Sequence, residues 1–259
     1  MARRTCPSRR SGRRAGLNLV LGLSLIFVVV ALAGCTVNIG DTVRGSGTVT
    51  SEDRTVSGVS GVALTTIGEL TVEVGDQESL RIEAEDNLLQ YIQTSVSGGV
   101  LNIETEPGVN ISASKPVRYY LAVRDLDSIR TSSSGNVSSG ALETGDLSVE
   151  ITSSGEVDLA ALAASSLEVK LSSSGNLTIE GGQVTTQDVR LSSSGDYEAG
   201  NMRSSSASVN LSSSGSATIW VTDSLDANLS SSGNLQYYGG PSADVNASSS
   251  GEAKSLGSK

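Results

Sequence analysis

Beyond residue 129, apolar and polar residues alternate along most of this chain. In one stretch Leu167, Val169, Leu171, Ser173, Gly175, Leu177 and Ile179 share one parity. Glu168, Lys170, Ser172, Ser174, Asn176, Thr178 and Glu180 share the other. Period-two alternation with β-branched residues predicts strands that bury one face and wet the other. The stretch is one copy of a repeat. A Ser-Ser-Gly element places its glycine at Gly135, Gly155, Gly175, Gly195, Gly215, Gly233 and Gly251, at intervals of 20, 20, 20, 20, 18 and 18 residues. The flanks repeat with it. Four residues before each glycine stand Thr131, Ile151, Leu171, Leu191, Leu211, Leu229 and Ala247; two after stand Val137, Val157, Leu177, Tyr197, Ala217, Leu235 and Ala253.

An apolar face that returns every 18–20 residues cannot be covered within one coil. Stacked coils build a continuous core and satisfy the backbone through parallel inter-coil hydrogen bonds. The pattern therefore predicts an all-β, single-domain parallel β-helix, a β-solenoid, with coils about 4.8 Å apart. Within the motif the middle serine (Ser133, Ser153, Ser173, Ser193, Ser213, Ser231, Ser249) has the parity of the glycine and is expected inside, hydrogen-bonding along the stack. Small residues there let the wall approach or turn, and glycine permits uncommon dihedrals. This role is structural and asks for no catalysis.

Residues 55–128 are less regular but strand-rich and are expected to form irregular coils that also cap the regular ones of 129–256. Asp86 or Asn87 is placed to cap a short helical turn over Leu88, Leu89, Tyr91 and Ile92. At the other end the inward positions shrink to Ala247 and Ala253, so that end frays or meets a partner edge, a second copy included. Residues 35–54, rich in Gly, Ser and Thr, suit a flexible tether.

What precedes the tether is an address. Six arginines (Arg3, Arg4, Arg9, Arg10, Arg13, Arg14) lead into an apolar run from Leu17 to Ala33, the layout of a secretory signal over residues 1–34. The run closes on Leu32-Ala33-Gly34-Cys35, which looks like a bacterial lipobox, with Cys35 acylated as the first mature residue. An uncleaved anchor is the alternative, although the run is short for a span and carries Asn18 and Ser24. Two acyl chains would hold the protein stably on the membrane, facing out of the cytoplasm.

Charge and composition narrow the function. Cleavage before Cys35 removes the six arginines and leaves 28 acidic against 12 basic residues, a net charge of −16 that disfavours nucleic acid as a partner. With no histidine, a Ser-His-Asp triad, an imidazole base and a His-ligated metal are all excluded. Two cysteines build neither a disulfide framework nor a Cys₄ zinc site. No enzyme, cofactor or metal is expected. Asp158 and Glu198 share one coil offset with Thr178 between them, and nothing else converges on them.

From Arg54 to Lys254 the chain resembles the bacterial autotransporter adhesins with the head GIN domain. The resemblance rests on the Asp86-Asn87-Leu88-Leu89 turn, the Gly98-Gly99-Val100-Leu101 segment and the steps Gly135-Asn136, Gly175-Asn176, Gly195-Asp196 and Gly233-Asn234. Glu156, Ser216 and Glu252 depart from Asn or Asp at that step. The resemblance implies a β-helical, surface-exposed, secreted or lipid-anchored adhesin and supplies no catalytic residues; the expected partner is a cell-surface glycan or protein.

Two outward features are candidate contact surfaces. One is the ladder Arg130, Glu150, Lys170, Arg190, Asn210, Asn228 and Asn246, in which the Lys170–Arg190 step is unfavourable and the three asparagines can stack as amides. The other is Trp220 and Tyr238, both five residues after a repeat glycine, with Gly200 at the same offset in the preceding coil and hence a notch beside them. Adjacent exposed aromatics offer a platform for a sugar ring or a peptide. Rival readings are an envelope-stress sensor that binds a partner protein and a structural protein that self-associates end to end. Ice binding ranks last, because serine ladders lack the methyl groups of threonine.

Overall fold

The computed structural model describes residues 41–259. They form a parallel β-solenoid, and the expected residues line up along its interior. Leu64, Thr131, Ile151, Leu171, Leu191, Leu211, Leu229 and Ala247 are successive register partners. On a second wall Leu70, Val137, Val157, Leu177, Tyr197, Ala217, Leu235 and Ala253 do the same. All but the last of each row are buried, in one continuous core. A third, shorter wall joins Leu142, Leu162, Gly182 and Met202.

The repeat glycines are required for close approach, not for unusual dihedrals: none of the seven has a positive φ. A Cβ on Gly155 would lie 2.4 Å from the carbonyl oxygen of Gly135; on Gly175, 2.6 Å from that of Gly155; on Gly195, 2.2 Å from that of Gly175. Each of these carbonyls aims at the coil above, as where Asn176 N–H donates to Gly155 O at 3.2 Å. The Asn of the Ser-Gly-Asn step completes the joint. Asn136 Oδ1 accepts from Glu156 N–H and Asn176 Oδ1 from Asp196 N–H, both at 3.1 Å. The middle serines Ser133, Ser153, Ser173, Ser193 and Ser213 are half-buried, and Ser153 Oγ donates to the Ser133 carbonyl. Ser231 and Ser249 depart from the expectation. In these last turns the serine takes φ 63° and is exposed, and Ser231 Oγ donates to the Ser212 carbonyl at 3.4 Å.

The early coils do not stack in chain order. Gly61–Leu64 and Glu69–Val74 lie between Val100–Thr105 and Arg118–Val123 on one side and the first regular coil on the other. The outer edge of the 100–123 coil is closed by antiparallel strands. Ile92–Ser97 runs along Val100–Thr105, and Ser79–Glu85 runs along Arg118–Val123. Antiparallel closure consumes the open hydrogen bonds of an edge.

The expected tether over 35–54 is corrected from residue 41 onward. Asp41–Arg44 pairs in parallel with Val109–Ser112, and Val49–Arg54 pairs antiparallel with Ser79–Glu85. Arg54 donates to Ile92 O at 2.7 Å and Leu89 O at 3.2 Å. Buried Glu85 accepts from Gly47 N–H, Ser114 N–H and Ser114 Oγ at 2.6, 2.8 and 2.6 Å. The Ser114 hydroxyl first, then backbone N–H groups, hold its carboxyl below the usual range. Asp86 and Asn87 likewise secure this segment rather than cap a helix. The 3₁₀ turn Leu89–Tyr91 has no side-chain cap, whereas Asn87 accepts from Ser46 N–H at 2.8 Å and donates to Arg44 O at 2.8 Å.

Candidate functional site

The change of coil length from 20 to 18 residues shapes the surface at one corner. Between Asp196–Leu211 and Ser216–Leu229 the register skips, pairing Ala199 with Ile219 but Arg203 with Trp220. Gly200 and Asn201 therefore form an outward step that the later coils cut off, while Met202 stays buried on the third wall. Trp220 and Tyr238 are register partners on the two shortened coils, and both are half-buried. Gly200 is thus not the in-line neighbour of Trp220 that equal offsets implied. It lies beneath Tyr238, where an added Cβ would be 3.4 Å from the ring and 3.1 Å from the Thr218 methyl.

Under Trp220 runs a polar chain that alternation alone does not announce. Tyr197 Oη donates to Gln187 Oε1 at 3.0 Å, Gln187 Nε2 to Ser204 Oγ at 2.7 Å, and Ser204 Oγ to the Trp220 carbonyl at 2.9 Å. All three side chains are buried, and burial pushes the Tyr197 phenol well above its ordinary range. Full satisfaction makes such a network rigid, so the backbone that carries Trp220 is fixed from inside. The available signal was Gln187, a polar residue in the inward row Leu147, Leu167, Gln187, Ala207, Leu225.

The rings are already engaged. Lys259 Nζ sits 4.5 Å from the Tyr238 centroid and 5.6 Å from that of Trp220. The same ammonium donates to the Gly200 carbonyl at 2.5 Å and to Asn201 Oδ1. Glu180, Glu198, Thr178 and Thr218 share this cleft of about 520 Å³.

The charged ladder resolves differently from its sequence reading. Arg130 pairs with Glu150 at 3.4 Å. The Lys170–Arg190 step is relieved by Glu168, whose Oε1 lies 2.8 Å from Lys170 Nζ and 2.9 Å from Arg190 Nη1. Lys170 first, then Arg190, hold the Glu168 carboxyl below its usual range. Asn210, Asn228 and Asn246 are aligned, but Asn228 donates its amide to Asp226 at 3.2 Å. Asp158, Thr178 and Glu198 stand on successive rungs, which separates the two carboxylates by two coil spacings. Among the described residues no group of His, Cys, Asp and Glu could hold a metal ion. The lipobox residues Leu32, Ala33, Gly34 and Cys35 lie outside the described residues.

With the stacked coils in view, the family can be assigned: a family profile described as "Putative auto-transporter adhesin, head GIN domain" matches residues 58–241. The chain belongs to this family. Among solved structures it is similar to an adhesin-described protein of Bacteroides fragilis NCTC 9343, with 23% identity, TM-score 0.77, and coverage of 83% of this chain and 100% of that one. A protein of Parabacteroides distasonis ATCC 8503, described as lipid binding, matches with 19% identity, TM-score 0.70, and 83% and 100% coverage. A third, described as an adhesin of Parabacteroides merdae ATCC 43184, matches with 19% identity, TM-score 0.66, and 83% and 99% coverage. At these identities the likeness is one of fold. No curated protein matches the chain in sequence.

Proposed function

We propose that this head GIN domain protein is a lipid-anchored binding module of the bacterial cell envelope. Cys35 carries the acyl chains, and the outer faces of the solenoid engage a glycan or protein of another surface. It binds and does not catalyse. The observation that carries the reading is the in-register Trp220–Tyr238 pair, held half-exposed over a rigid polar network at the one corner where the coil length changes. A large aromatic face is costly to leave in water, and at an exposed corner it suits contact with a sugar ring or an apolar side chain. The family assignment supports adhesion.

A glycan array and a cell-adhesion assay with the wild type and a Trp220→Ser/Tyr238→Ser variant test the contact surface. Loss of binding in the variant at unchanged circular dichroism is expected; equal binding refutes it. Cys35→Ser should abolish metabolic labelling with palmitate and release the protein from the membrane fraction.

A second reading, end-to-end self-association, draws on the last rung. Ser242–Ala247 and Glu252–Gly257 each pair on one side only, and Val245 is exposed. Light scattering that rises with concentration, and falls when a proline replaces Val245, would support it. A concentration-independent monomer would reject it.

A further inference from the structure

Resting on the reading of Trp220 and Tyr238 as a contact surface, we propose what that surface recognises: a primary alkylammonium group, such as the side chain of a lysine on a partner protein. In the described structure Lys259 occupies the site as an internal competitor.

The parts come from three successive coils. The 20-residue coil supplies the Gly200 carbonyl and the Asn201 side-chain amide, from the step that later coils lack. The next supplies Trp220 and the one after it Tyr238. An ammonium has three N–H donors and no acceptor. In this site two donors reach the two oxygens, while the charge lies over two aromatic faces. Cation–π attraction strengthens as the cation is desolvated. Glu180 and Glu198 line the same cleft and add a negative potential that draws cations.

The chemistry discriminates. A sugar hydroxyl would gain the rings but not the charge. A quaternary ammonium would gain the rings but has no N–H for Gly200 O and Asn201 Oδ1. A guanidinium carries N–H donors on a planar fork, whereas these two acceptors converge on one nitrogen. A primary ammonium uses every element. Lys259 demonstrates that fit. It follows the strand Glu252–Gly257 by two residues, so its effective concentration at the site is high, on the order of millimolar or above.

Trp220 is the only tryptophan of the chain, so its fluorescence reports the site directly. The full-length protein and its Lys259→Ala variant are titrated with n-butylammonium chloride, with tetramethylammonium chloride at matched ionic strength as the comparison. Lys259→Ala should show a saturable change in Trp220 emission with n-butylammonium and a response at least fivefold weaker with tetramethylammonium. The wild type should need about tenfold more amine, because the site is open only when Lys259 leaves it. Tyr238→Ser in the Lys259→Ala background should lose the response while keeping Trp220 as reporter. No saturable response in Lys259→Ala, or identical titrations of wild type and Lys259→Ala, overturns the proposal. If amines fail while Trp220→Ser/Tyr238→Ser still abolishes cell adhesion, the contact surface stands and only its ligand is wrong. If amines bind while that variant adheres normally, the ammonium site stands and the adhesion reading falls.

Discussion

Gly175→Ala tests the central joint of the solenoid. The added Cβ would lie 2.4 Å from Ile151 Cγ2, 2.6 Å from Gly155 O and 2.8 Å from Ser153 O. The Ile151 methyl sits on a buried, β-branched side chain with little freedom to turn. The two carbonyls cannot yield either, because they belong to the preceding coil, and Gly155 O already accepts from Asn176 N–H. Relief therefore requires the coils to part locally by several tenths of an ångström, at the expense of inter-coil hydrogen bonds. Overpacking of this kind costs about 1–3 kcal/mol. For a domain of this size that is a fall of roughly 2–12 °C in Tm. Gly140→Ala is the matched control. It has open space around its Cβ position and no positive φ, so the change should be neutral or stabilising by up to about 1 kcal/mol. Urea and thermal melts followed by circular dichroism measure the difference. Hydrogen exchange at Asn176 localises it, which matters because stacked repeats need not unfold in one step. Equal melting of Gly175→Ala and Gly140→Ala, with Asn176 protection unchanged, would refute the close-approach argument.

Further outcomes follow from single contacts. Asn176→Ala removes the acceptor of Asp196 N–H and should cost about 0.5–1.5 kcal/mol, read from the urea midpoint. Glu85 has a folded-state pKa below its unfolded value, so its stabilisation is present above about pH 4.3 and is lost as pH falls through the folded pKa. The protection factors of the Gly47 and Ser114 N–H groups should fall in acid, and Glu85→Gln should show that lower protection already at neutral pH. Glu168→Gln leaves Lys170 and Arg190 facing each other without their shared carboxylate and should lower stability by up to about 1 kcal/mol at low salt, an effect that 1 M NaCl erases.

Much of the architecture was legible because a solenoid turns sequence spacing into spatial neighbourhood. Leu171, Leu191 and Leu211 are partners for the same reason that they are 20 residues apart. The failures cluster where that translation breaks. Equal offset makes Gly200 the neighbour of Trp220, but two residues have to leave the coil somewhere, and a linear count cannot say at which corner. The segment 41–54 reads as a tether because its strands carry few apolar residues; backbone pairing and the buried Glu85 carboxylate hold it instead. Lys259 gave no signal at all, since its partners lie 58 and 59 residues away.

Taken alone, the sequence determined the coil, its inward rows and the demand for glycine, because each is a local, repeated steric condition. The tertiary structure alone decided the order of the early coils, the antiparallel closure of one end and the meeting of Gly200, Asn201, Trp220, Tyr238 and Lys259. Those depend on where one coil steps out and the next does not, a difference between neighbours in space that no single coil contains.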